Sequence, residues 1–176
     1  KVWQDRLGRL RRVIEEDVAR GDYFGLVLHV GRGGETGFEE AIGTADAAGT
    51  QPLKVDDVFS IFSVTKAFTN ILILKAIEEG RLALTTKVRD ILPEFTGLPR
   101  EEATYYHLLT HTAGMPGVWT PKPGMYLDRL SELYDAVIEN VHGIAPPGER
   151  CDYSPLVNHV LMGMTLVRID PKGRDY

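Results

Sequence analysis

The sequence predicts a mixed α/β (α+β) chain, and three observations lead there. A helical apolar stripe opens the chain, two strand-like stretches flank a glycine-rich turn between residues 24 and 45, and the pattern from Gly80 onward is helical and loop-rich. With 176 residues, 43% hydrophobic and 26% charged, the composition is that of one ordinary folded domain or of part of a larger one.

In chain order, Trp3, Leu7, Leu10, Val13, Ile14 and Val18 recur at helical spacing, and Gly21 follows as a stop. Such a helix should pack on a sheet. F-G-L-V-L-H-V at 24–30, G-R-G-G at 31–34 and F-E-E-A-I-G-T-A at 38–45 read as a β-hairpin with glycines as turn formers. A phosphate-cradling reading of G-R-G-G-E-T-G fails, because the lysine and Ser/Thr that close a P-loop at a helix start are missing. S-I-F-S-V-T-K at 60–66 then leads into A-F-T-N-I-L-I-L-K-A-I, a helix that looks built for burial until Glu78, Glu79 and Gly80 close it. Next come R-L-A-L-T-T-K-V-R-D-I-L-P-E-F, Y-Y-H-L-L-T-H-T-A-G-M-P and a Pro/Gly-rich stretch from Pro116 to Gly124. Leu130, Leu133, Tyr134, Val137, Ile138 and Val141 mark another amphipathic helix, ended by P-P-G at 146–148. A last stripe of Leu156, Val157, Val160, Leu161, Met164 and Val167 follows Tyr153-Ser154-Pro155. Ser154 suits the cap and Pro155 the first helical position, which fixes Tyr153 at the helix entry.

The charge balance excludes several functions. A net charge of -5 without a cluster of Lys and Arg gives no hold on nucleic acid or an anionic membrane surface. The single cysteine, Cys151, forms neither an internal disulfide nor a thiolate metal site. No apolar run reaches bilayer length, and the charged start Lys1 to Arg12 has no apolar segment behind it. Because residue 1 is not methionine, a removed leader is compatible with the chain, and both cytoplasmic and periplasmic or secreted locations stay open.

Ser63 and Lys66 carry the first chemical signal. Three residues apart on a helix, they are neighbours on one face, the spacing that a nucleophile and its base require. The positive end of the helix macrodipole and the apolar surroundings both disfavour an ammonium at Lys66, which suits a neutral amine able to take the Ser63 proton. The plainer alternative is that Ser63 caps the helix while Lys66 snorkels to water. Tyr153, at its helix entry, could share the proton. His107 and His111, four apart, would share a helical face, but no glutamate follows His107 as H-E-x-x-H demands and no third ligand is apparent. Hydrogen-bonded packing suits them better than zinc. His29, His142 and His159 have no assignable acid partner, and the absence of G-x-S-x-G argues against an α/β-hydrolase elbow at Ser63.

Taken together, F-S-I-F-S-V-T-K-A-F-T, E-E-G-R-L-A-L-T-T-K-V-R-D-I-L-P-E-F, H-L-L-T-H-T-A-G-M-P and P-P-G-E-R-C-D-Y-S resemble the serine β-lactamase and penicillin-binding-protein superfamily. Within it they are similar to class C β-lactamase-like esterases and D-alanyl-D-alanine peptidases. The resemblance runs over nearly the whole chain. It implies a β-lactamase/transpeptidase-like fold, an antiparallel sheet flanked by helices plus a mostly helical domain, incomplete in this chain. Residues 1–80 would supply the N-terminal helix, hairpin and nucleophile helix, and residues 81–176 the helical domain carrying Tyr153. It makes Ser63 the acylated nucleophile, Lys66 its base partner, Tyr153 a second proton shuttle, and the Ser63 backbone N–H half of an oxyanion hole. It implies no metal or organic cofactor, and a small-molecule ester or amide as substrate.

Two departures shape the expectation. Pro155 stands where penicillin-recognising members carry asparagine, and it has no side-chain amide to bind a substrate amide. The K-T-G or H-x-G strand is missing, since Lys172-Gly173-Arg174 comes too soon after Tyr153. The expected function is therefore a serine hydrolase or acyl transferase for small or medium esters. The alternatives are a β-lactamase or D-alanyl-D-alanine carboxypeptidase, and a non-catalytic penicillin-binding-like module or inactive fragment. The chain itself is expected to be the N-terminal part of a longer protein.

Overall fold

A computed structural model of the chain describes residues 4–176. It falls into two compact units, one ending at Ser60 and one covering Ile61–Tyr176. Trp3, expected in the first helical stripe, lies outside the described residues.

In the first unit, α1 (Gln4–Arg20) stops at Gly21, whose φ of +80° ends the helix as expected. Leu7 and Ile14 are buried, Leu10 and Val18 half-buried, and Val13 is exposed, so the apolar stripe is narrower than the sequence suggests. The helix packs on β2, as expected, with Arg11 paired to Glu40 at 3.1 Å. Strands β1 (Gly25–Arg32) and β2 (Glu35–Gly43) form an antiparallel hairpin in the register Leu28↔Glu40. Gly33 and Gly34 have φ of +60° and +82°, the pair of positive values that a tight hairpin turn with the native strand twist requires. The turn is thus shorter than G-R-G-G, and β2 begins at Glu35 rather than Phe38. Among the described residues this two-stranded sheet is the only one.

The second unit holds the main core. Helix α2 (Thr65–Glu78) packs on α6 (Val157–Ile169), which also meets α5 (Leu130–Asn140) and two short helices, α3 (Val88–Ile91) and α4 (Tyr105–Leu109). Ile73, Val88, Leu92, Phe95, Tyr105, Leu108, Val137, Val157, Leu161 and Met162 are completely or almost completely buried, each contributing about 1.5–3 kcal/mol of apolar burial for a large side chain. The α2 stripe differs from its expectation. Only Thr69, Ile73 and Ala76 are buried, at the four- and three-residue steps of one helical face, while Phe68, Ile71, Leu72 and Leu74 are exposed.

Two further expectations are corrected. Helix α6 starts at Val157, with Leu156 as its N-cap, instead of at Pro155. The Asp152 and Ser154 amides are bonded to His111, so the backbone there follows a different partner and cannot yet turn helical. Ser154 still accepts a hydrogen bond from the Asn158 N–H at 3.0 Å, serving an orphan donor of the first turn. His107 and His111 do not share a helical face, because α4 ends at Leu109 and His111 lies beyond it with φ of +57°.

Candidate active site

The chain reaches Ser63 through a tight turn. Phe62–Val64 forms one 3-10 turn, opened by Phe62 at φ of +43°, a left-handed conformation unusual for an aromatic residue. Helix α2 then begins at Thr65 with no side-chain cap bond at its N-terminus, so the Ser63 hydroxyl is not used for capping. Lys66, in the first turn of α2, donates from Nζ to Ser63 Oγ at 3.1 Å and is half-buried. Tyr153, distant in sequence and half exposed, donates its hydroxyl to the same Oγ at 2.8 Å. Lys66 Nζ lies 5.3 Å from the Tyr153 ring centroid. The three residues singled out in the sequence therefore meet at one oxygen.

The Tyr153 phenol is held below its ordinary pKa, first by its hydrogen bond with Ser63, then by its interaction with Lys66. Both partners of Ser63 are within hydrogen-bond reach of its hydroxyl oxygen. His111 packs its ring against Tyr153, with centroids 4.9 Å apart, and His159 lies 6.1 Å behind His111. His111 Nδ1 accepts from the Ser154 N–H at 3.0 Å. His159 Nε2 is 3.2 Å from Asn70 Oδ1, which ties α6 to α2 one turn beyond Lys66. Burial lowers both imidazole pKa values, with a smaller push from the Lys66 charge, and His159 falls to about 4. The wall behind Tyr153 is therefore uncharged at neutral pH.

The other histidines are elsewhere. His107 Nδ1 accepts from the Thr104 N–H at 3.1 Å, closing the start of α4. His29 has the acid neighbour that the sequence left unassigned, Glu39 at 3.4 Å across the hairpin. Among the described residues no group of three or more His, Cys, Asp or Glu side chains is placed to hold a metal ion. No described helix is long and apolar enough to cross a membrane. Pro155 packs beside Gly117 and presents no amide to the site. Sequence reasoning gave His159 no role and missed Asn70 and Asn158; two adjacent polar residues, Asn158 and His159, inside the last apolar stripe were the available signal.

The family model described as Beta-lactamase matches residues 10–176. Esterase EstB of Burkholderia gladioli is 35% identical over 127 residues, which are 69% of this chain and 32% of EstB. A penicillin-binding protein homolog from Caulobacter crescentus has a TM-score of 0.81 at 29% identity, covering 99% of this chain and 46% of that one. The octameric penicillin-binding protein homologue from Pyrococcus abyssi has a TM-score of 0.82 at 24% identity, over 97% of this chain and 40% of its own, a likeness of fold. The chain spans about a third of the length of the curated relatives it matches.

Proposed function

The chain belongs to the beta-lactamase family, and from that premise we propose that it carries the nucleophile and proton-transfer groups of a serine hydrolase acting on small or medium acyl esters. The observation that supports this most is the convergence of Lys66 Nζ and Tyr153 Oη on Ser63 Oγ, at 3.1 and 2.8 Å. In the proposed reaction the Ser63 oxygen bonds to the ester carbonyl carbon while its proton passes to the Lys66–Tyr153 pair. Collapse of the tetrahedral intermediate breaks the carbon–oxygen bond to the alcohol, which leaves with that proton. Water, or a second alcohol, then attacks the acyl-serine with the same pair accepting its proton, and Ser63 is regenerated. The backbone N–H of Ser63 is the proposed half of the oxyanion hole. Esters are favoured over β-lactams because Pro155 offers no amide, and because EstB is named an esterase.

The test is covalent labelling of the purified protein by a fluorophosphonate probe, with hydrolysis of a p-nitrophenyl ester followed in parallel. Ser63→Ala is expected to abolish both while leaving the unfolding temperature unchanged. Lys66→Ala should lose about 10²–10⁴-fold in rate, as loss of a general base does, and Tyr153→Phe the same or somewhat less. Labelling that persists in Ser63→Ala would remove Ser63 as nucleophile, and near-normal turnover in Lys66→Ala would return that lysine to a solvent-facing role.

A further inference from the structure

We propose that His111 is the positioning residue for Tyr153, holding the phenol on Ser63 by accepting from the backbone N–H groups of the residues on either side of the tyrosine; this rests on the proton-transfer role proposed for Tyr153. The Asp152 N–H donates to the His111 carbonyl at 2.9 Å, and the Ser154 N–H donates to His111 Nδ1 at 3.0 Å. Between those two bonds the imidazole lies against the Tyr153 ring, at 4.9 Å and 41°. One residue therefore fixes the backbone before the tyrosine, the backbone after it and one face of its ring. Tyr153 itself is 50% exposed, so burial alone does little to hold the phenol in one rotamer.

The grip depends on an unusual backbone. At φ of +57°, His111 is in the left-handed region, which turns its carbonyl and its side chain toward the same neighbouring segment. Asn158, buried on α6, steadies it: its Nδ2 donates to the Leu108 carbonyl at 2.9 Å and lies 3.4 Å from His111 Nδ1. Because a backbone N–H can only donate, Nδ1 of His111 must be the acceptor, and the neutral ring carries its proton on Nε2. Gly117 completes the seat. A Cβ there would stand 2.8 Å from the Tyr153 carbonyl oxygen, so the tyrosine is confined from that direction too.

A role confined to folding and a role in placing Tyr153 make different forecasts. His111→Gly removes the acceptor and the ring without strain at positive φ, whereas His111→Asn keeps an acceptor at the Nδ1 place and tolerates that backbone. For ester hydrolysis His111→Gly should lower kcat about 10- to 100-fold with KM held within about threefold, since a misplaced group costs rate more than binding. His111→Asn should recover most of that loss. In a Tyr153→Phe background, His111→Gly should cost less than about twofold more, because its effect passes through the phenol. An equal loss in both backgrounds, or an asparagine variant as slow as the glycine variant, overturns the proposal and leaves the role of Tyr153 standing. Full activity of Tyr153→Phe alone instead removes the proton-transfer reading, and this inference with it. If His111→Gly does not fold, the imidazole 15N shifts of the unaltered protein decide: an Nε2–H tautomer with a hydrogen-bonded Nδ1 supports the grip, and an Nδ1–H tautomer at neutral pH overturns it.

Discussion

In the proposed function, Pro155 is the side chain on which the preference for esters rests. A buried or half-buried site that binds an amide must offer it a partner, and proline offers neither a side-chain donor nor a backbone N–H. Short-chain p-nitrophenyl esters are therefore expected to show a higher kcat/KM than a chromogenic cephalosporin, and the reverse order would reassign the protein as a β-lactamase. His159 yields a second forecast, on stability. Burial first, then the charges of Lys66 and His111, pushes its pKa from 6.5 down to about 4. The unfolded chain takes up a proton near pH 6.5, the folded one only near 4, so stability falls as pH drops through that window and levels off below it. His107 and His111, shifted the same way, add to the fall. Urea midpoints at about pH 7.5 and about pH 5 should differ, and His159→Gln should reduce the difference; an unchanged difference would show that His159 does not carry it. Ser63 and Lys66 were legible in the sequence because their relation is local, a single helical step. Tyr153 became legible through the blocks around it. His111 was legible as hydrogen-bonded packing at the active-site wall, but its hold on residues 152 and 154 was not, since no local pattern records a contact over that distance.

At the scale of elements, the helices were legible wherever one stripe meets one partner. The stripe at 130–141 predicted α5 closely: Leu133, Tyr134, Val137 and Val141 of the stripe are buried, together with Ala136. The start of α6 was misplaced because Ser154 and Pro155 are good starting residues locally, but His111 holds the segment in another conformation. Arg100 shows a second kind of illegible residue. It precedes two glutamates and no sequence pattern singles it out, yet it is 5% exposed and bonded to the end of α5. Its guanidinium donates to the carbonyls of Ile138 at 2.9 Å, Val137 at 3.4 Å and Val141, and its Nε to Thr96 at 2.6 Å. The Ile138 and Val141 carbonyls are among those that a helix C-terminus leaves without partners, the Val137 carbonyl also accepts from the Val141 N–H, and a cation there meets the negative end of the helix dipole. Arg100→Ala should cost about 2–4 kcal/mol, because several buried acceptors lose their donor together. Arg100→Lys should recover less than half, since a single ammonium cannot reproduce the fork. Urea denaturation measures both, and a loss below about 1 kcal/mol would mean that water replaces the guanidinium without penalty.

For the whole molecule, the sequence predicted the class of fold, and the family match bears it out, with two strands of sheet among the described residues. What composition could not show is how unevenly the core is divided. The contiguous core cluster, from Ile73 to Met162, lies entirely within Ile61–Tyr176. Among the described residues up to Ser60, the buried apolar side chains are Leu7, Ile14 and Phe38. A helix on a two-stranded sheet with so few buried side chains has little apolar burial to set against the entropy of ordering its backbone, whereas α5 and α6 are enclosed by several neighbours. Local stability should follow that division. Native-state hydrogen exchange is expected to show the amides of β1, β2 and α1 opening at a lower free energy than those in the middle of α5 and α6, and opening together as one cooperative group. A small amount of urea should leave that lower value steep in denaturant, marking a sub-global unfolding rather than local fraying. Equal protection of the hairpin amides and the α6 amides would show that the whole chain unfolds as a single unit, and that three buried side chains understate what holds the hairpin in place.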